Sequence, residues 1–174
     1  MARLIWFLIM FVGCASNEKT IDVRIDPQTP MDALTADFVS HGADTWSVIG
    51  VGYRAYDGSD ATPECVERWF DTDVTECVIT IKLTLAPPQT LDGYAGLTDQ
   101  MRDTFIDNQL TYDRLQSVVA HEVGHSVFAS GDHLPPGEVG IMMAVEHDIT
   151  VPTEADLEYA KNHLDGWSEE LGAN

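Results

Sequence analysis

His121-Glu122-Val123-Gly124-His125 places two imidazoles and a carboxylate close together inside a stretch, residues 113–129, whose apolar spacing predicts a helix. Helical histidines four apart differ by about 40° in azimuth, so both rings can reach one ion from one face. Zinc (Zn2+) suits such a pair, completed by a third protein ligand and an open position for water. Glu122 lies about 60° round from His125. It can take a proton from a water on that metal without binding the metal itself, which is the placement of a general base. The competing reading is a chance match on an ordinary amphipathic helix.

The helix needs a sheet to pack on. Thr111 is placed to cap it, Asp113 sits in its first turn, and Leu115, Val118, Val119, Ser126 and Ala129 form the stripe facing the core. Glu122 falls within that stripe, and a buried carboxylate without a partner is costly, so a polar group must meet it; water on the metal is the natural candidate. Residues 21–26 alternate apolar and polar strictly, the signature of a half-buried strand, and Pro27 and Pro30 end it. A helix follows over 31–41, with Met31, Leu34, Phe38 and Val39 on one side, His41 at its end and Gly42 as its stop. The β-rich run 46–53 predicts a strand, with a turn at 57–60.

The next strand spans 77–85, with Ile79, Ile81, Leu83 and Leu85 toward the core and Pro87-Pro88 after it. Residues 93–98 are glycine-punctuated and fit an exposed edge segment, and 101–107 fit the last strand before the main helix. Past that helix come Gly131, Pro135-Pro136-Gly137 and Gly140-Ile141-Met142-Met143. A closing helix then opens with Thr153 as cap and Leu157, Tyr159, Ala160 and Leu164 as its apolar positions. The expected class is α+β: one domain over residues 21–174, a twisted mixed sheet packed on the helix that carries the histidines.

With 174 residues the chain has room for one core and not for two ordinary domains. Residues 1–13 read as a secretory leader: Arg3, then an apolar run over 4–12 too short to span a bilayer. Phe11-Val12-Gly13-Cys14 resembles the lipobox of bacterial lipoproteins, with phenylalanine where leucine is usual. The resemblance implies lipid on Cys14, a tether over 14–20 and attachment to the bacterial cell envelope. The alternative is a soluble secreted protein cut nearby. Ala15 and Ser16 include no acidic retention signal, which favours the outer membrane. Several acyl chains would hold the chain firmly, at roughly 0.8 kcal/mol per buried methylene. Cys65 and Cys77 remain, and in an exported protein they are expected to form a disulfide, stabilising by roughly 3 kcal/mol in the chain-entropy model.

The formal charge of −20 becomes −21 when Arg3 leaves with the leader. A surface so acidic repels nucleic acid and acidic headgroups, and nucleic-acid binding is discarded. The acids are dispersed along the chain, as a solvated surface requires.

From Gly93 to about Trp167 the chain resembles the metzincin metalloproteases, closest to the matrixin-like branch, with strong motifs only between His121 and Met143. The residues that carry the resemblance are His121-Glu122-Val123-Gly124-His125, then Gly131 and His133, then Gly140-Ile141-Met142-Met143, which is similar to that family's Met-turn; the closing helix also fits. The resemblance implies zinc held by His121, His125 and His133, Glu122 as base, and Met142 as a hydrophobic floor beneath the metal. It implies a polypeptide substrate laid along a sheet edge, for which residues 94–98 are the candidate segment.

The chain departs from the family at one place. Gly131 and His133 stand six and eight residues after His125, where the family has three and six. The helix should run about a turn longer and end at Gly131 in the left-handed conformation, with a return to His133 one residue shorter than usual. Asp132 is therefore a rival third ligand, and Glu146 a more distant one by analogy with thermolysin-like enzymes. His147 and His163 match no family role and read as surface residues. The function expected is a membrane-anchored, zinc-dependent endopeptidase. The alternative is a lipoprotein of the same fold that binds zinc or peptide without catalysis. Oligomeric state, substrate and cleavage preference have no signature in the sequence.

Overall fold

Ile21, Val23 and Ile25 alternate with polar residues and all three are buried in strand β1 (Thr20–Pro27). The computed structural model describes residues 20–58, 76–92, 94–99, 102–128, 130–144 and 147–164. Cys14, Cys65, Glu146 and the leader lie outside them, while Cys77 is buried at the start of β3 (Glu76–Ala86). Among the described residues no helix is long and apolar enough to cross a membrane.

β1 pairs in parallel with β2 (Val51–Arg54) on one side and with β3 on the other. β3 is central. It pairs in parallel with β5 (Asp103–Asp107), and β4 (Gly96–Asp99) closes the far edge antiparallel to β5, giving the order β2-β1-β3-β5-β4. β4 and β5 run antiparallel, and where they meet Arg102 N–H donates to Asp99 O (3.1 Å). Ile79, Ile81 and Leu83 are buried as their spacing requires, and Thr80, which faces the opposite side of the sheet, is buried as well. Among the described residues the fold is a mixed α/β domain on a five-stranded mixed sheet.

The crossover from β1 to β2 carries helix α1 (Ala33–Asp44), capped by Asp32, whose carboxylate accepts from Thr35 N–H at 2.7 Å. Gly42 does not stop it. The helix runs on to Asp44, because this glycine serves a close approach to helix α2 (Tyr112–Phe128): a Cβ there would stand 2.7 Å from Gln116 O and 2.8 Å from Val119 Cβ. The strand expected over 46–53 is also corrected. Thr45–Ile49 is a 3₁₀ turn and only Val51–Arg54 is extended, because Trp46 is drawn into the core, where its indole N–H donates to Ala120 O of α2 at 2.8 Å.

α2 is buried on more than the single stripe its sequence shows. α1 covers it at Val119, β4 at Val118 and Glu122, and Trp46 and Met142 at Gly124. Helix α3 (Glu154–His163), the last element among the described residues, opens with a capping box in which Thr153 and Asp156 bond reciprocally.

Candidate metal centre

His121 and His125 project from one side of α2 with their Nε2 atoms 3.0 Å apart. Each ring's other nitrogen faces a backbone carbonyl: His121 Nδ1 lies 2.7 Å from Ile141 O, and His125 Nδ1 lies 2.7 Å from Ser130 O. A carbonyl accepts only, so the proton sits on Nδ1 in both rings and each Nε2 carries a lone pair. Two lone pairs 3.0 Å apart repel, unless a cation lies between them. A second proton is no remedy at His121, because burial pushes its pKa down to about 3; the Ile141 contact opposes the shift only in part. At His125 burial likewise lowers the pKa.

His133 completes the set. Its ring lies 5.2 Å from that of His121 and 5.0 Å from that of His125, and one ligand atom from each of the three falls within 4.8 Å of the others. Asp132 is not in that group. Three imidazoles whose ligand atoms lie this close together, two with their tautomers fixed by carbonyls, can hold a metal ion.

Helix α2 ends differently from expectation. Among the described residues the glycines with positive φ are Gly50, Gly58 and Gly137, not Gly131. Instead Ser130 N–H donates to His125 O (3.2 Å) while His125 Nδ1–H donates to Ser130 O. This reciprocal pair stops the helix and orients the second histidine at once.

Glu122 is 4 % exposed and points at β4, where Thr98 Oγ1 donates to its Oε2 at 2.7 Å. The polar group that meets the carboxylate is thus a threonine of the edge strand, itself 3.0 Å from Thr104 Oγ1 across the β4–β5 pair. Burial raises the Glu122 pKa to about 7 against the opposing hydrogen bond. β4 passes so close that a Cβ on Gly96 would stand 2.6 Å from Glu122 Oε1. Only glycine fits there without displacing the carboxylate.

Met142 is fully buried, its sulfur against Gly124 of α2. Asp156, also fully buried, holds this segment by accepting from Ile141 N–H (2.9 Å) and Met142 N–H (3.0 Å). The carbonyl of Ile141 in turn meets His121, so α3 reaches the first histidine through one peptide unit. His147 is not the surface residue expected. It accepts Ile149 N–H at Nδ1 (3.1 Å), donates from Nε2 to the same Ile141 carbonyl (2.7 Å), and lines the cleft. His163 stacks on Tyr159 with ring centroids 4.0 Å apart, and His41 lies at the end of α1, 3.6 Å from Asp37.

The cleft, about 430 Å³, is bounded by β4 on one side and by the histidines, Met143 and Ala144 on the other. Its edge-strand wall is open to solvent, with Tyr94 65 % and Leu97 47 % exposed. The fold and site together define a mixed α/β domain with a three-histidine group able to hold a metal ion beside a buried carboxylate. No family model and no curated protein matches the sequence. Among solved structures the chain is similar to the archaemetzincin of Methanopyrus kandleri (15 % identity, 88 % of this chain and 99 % of that one, TM-score 0.47). It is also similar to myroilysin (11 % identity, 87 % of each chain, TM-score 0.47).

Proposed function

We propose that the chain is a zinc-dependent endopeptidase in which His121, His125 and His133 hold the ion and Glu122 is the general base. The observation that carries this reading is the pair of facing Nε2 lone pairs, each fixed by a carbonyl behind it, beside a carboxylate that burial has made basic. Three histidines suit zinc, and zinc so bound supplies Lewis acidity to a water and to the scissile carbonyl. Glu122 takes the proton of the attacking water and delivers it to the leaving amine, while Thr98 keeps the carboxylate aimed. The exposed edge of β4 offers backbone groups to an extended polypeptide, which lies across the cleft as an added strand. Met142 forms the floor that keeps the two helical histidines at a fixed depth. The full chain is expected to carry about one zinc by elemental analysis, and a chelator should stop its digestion of a peptide library until zinc is restored. Digestion that persists in the stripped protein would refute the reading.

The N-terminal stretch Phe11-Val12-Gly13-Cys14 supports a lipid-anchored form at the outer membrane, and Cys65 with Cys77 supports one disulfide. Mass spectrometry of the native, unreduced chain reads both. It should find an acylated N-terminal Cys14 and a Cys65–Cys77 linked peptide, and Cys14→Ser should move the protein from membranes to the soluble fraction. An unmodified N-terminus, or free thiols at both positions, would remove the corresponding claim.

A further inference from the structure

His133 follows Gly131 by only two residues and stands in an exposed loop, so something must hold that loop where its imidazole meets the other two. The structure supplies fasteners on both sides. After the histidine, Leu134 N–H donates to Met142 O at 2.8 Å. Before it, the phenol of Tyr159 on α3 donates to Asp132 O at 2.9 Å, the carbonyl of the peptide bond that enters His133. Asp132 N–H is itself held by Ser130 Oγ (3.1 Å), and Ser130 is the residue whose carbonyl fixes His125.

Tyr159 is well placed for this. It is 7 % exposed, lodged between Phe128 and His163 with ring centroids at 5.5 Å and 4.0 Å, and burial raises its pKa so that the hydroxyl remains a donor. It sits one turn after Asp156, the residue that holds the peptide unit behind His121. One face of α3 therefore fastens the backbone behind two of the three histidines.

We infer that Tyr159 is a positioning residue for the metal site: its hydroxyl, through the Asp132 carbonyl, sets the location of His133 and so the retention of the ion. The inference rests on the zinc reading above and extends it to a residue that touches neither metal nor substrate. Groups that orient metal ligands are worth roughly 10- to 100-fold in affinity, and a neutral hydrogen bond acting through one peptide unit belongs at the lower end.

The test uses the purified full chain, loaded with zinc, and follows release to a chelator. Tyr159→Phe keeps the ring and its packing and removes only the hydroxyl. It should speed zinc release about tenfold, while the thermal midpoint of the metal-free protein falls by no more than the few degrees that one lost hydrogen bond costs. In a His133→Ala background, followed by competition at zinc high enough to fill the weakened site, the same substitution should change affinity no further, since the ligand it positions is gone. Wild-type release rates in Tyr159→Phe, or an equal effect with and without His133, would overturn the inference while leaving the zinc reading intact. A wild type that takes up no zinc would instead overturn the proposed function, and this inference with it.

Discussion

Glu122→Gln is expected to abolish peptide hydrolysis, by roughly 10²–10⁴-fold in rate, without releasing zinc. The carboxylate stands beside the histidines and outside their convergence, and a glutamine of the same shape can still accept the Thr98 hydroxyl at its carbonyl oxygen. What the amide cannot do is take a proton. The burial that makes Glu122 basic leaves a second mark on stability. Burial pushes its pKa up from the ordinary 4.5 to about 7 in the fold, so the stability it contributes is fully present below 4.5 and is lost as pH rises through 7. Glutamine has no such loss. The metal-free variant should therefore gain on metal-free wild type across that window, as read by denaturant unfolding at a series of pH values. Zinc loss in Glu122→Gln would make the carboxylate a ligand and sink its role as base. A wild type that binds zinc yet cleaves nothing across a broad peptide library would transfer the chain to the binding-only alternative.

The parts of this molecule legible in its sequence are those fixed by local periodicity. Strands β1 and β3 announce themselves because Ile21, Val23 and Ile25, and then Ile79, Ile81 and Leu83, keep a period of two in a sheet that buries them. Helix α2 and the two histidines four apart are legible for the same reason. Trp46 misleads because its β-rich neighbours suggest a strand, whereas the indole is spent on a tertiary bond to Ala120, 74 residues away. Gly42 misleads because glycine serves both helix ends and close helix contacts, and only the position of Gln116 and Val119 decides between them.

The supporting groups of the site are the least legible. Thr98 reaches Glu122 across 24 residues because β4 happens to pair with β5 in the register Thr98↔Thr104, and no short motif records that register. Asp156 reads only as an acid in the first turn of a helix; that its carboxylate completes the capping box and also holds the Ile141-Met142 segment follows only from the packing. Tyr159 reads as a core aromatic, and the ring is one. His147 shows the same limit, since its satisfied place in the cleft depends on Ile141 and Ile149 together.

The displaced third ligand gives the other large expected effect. His133→Ala should release zinc nearly as completely as His121→Ala or His125→Ala, with a loss of affinity exceeding about 100-fold, the upper range for residues that only orient ligands. Asp132→Ala should retain it. The geometry separates the two: the imidazole of His133 belongs to the group of ligand atoms within 4.8 Å of one another, and Asp132 takes part through its backbone, accepting from Tyr159 at its carbonyl and donating to Ser130 from its amide. Truncating the Asp132 side chain leaves both of those bonds in place. It removes a nearby negative charge that favours protonation of His125, so its effect on zinc should be small. Competition against a chromogenic chelator, run on all four variants at one pH, ranks them directly. Zinc kept in His133→Ala and lost in Asp132→Ala would hand the third position to the carboxylate, and the loop between helix α2 and Ile141 would then have to refold around the ion, because the backbone bonds that now hold it present the histidine and not the aspartate.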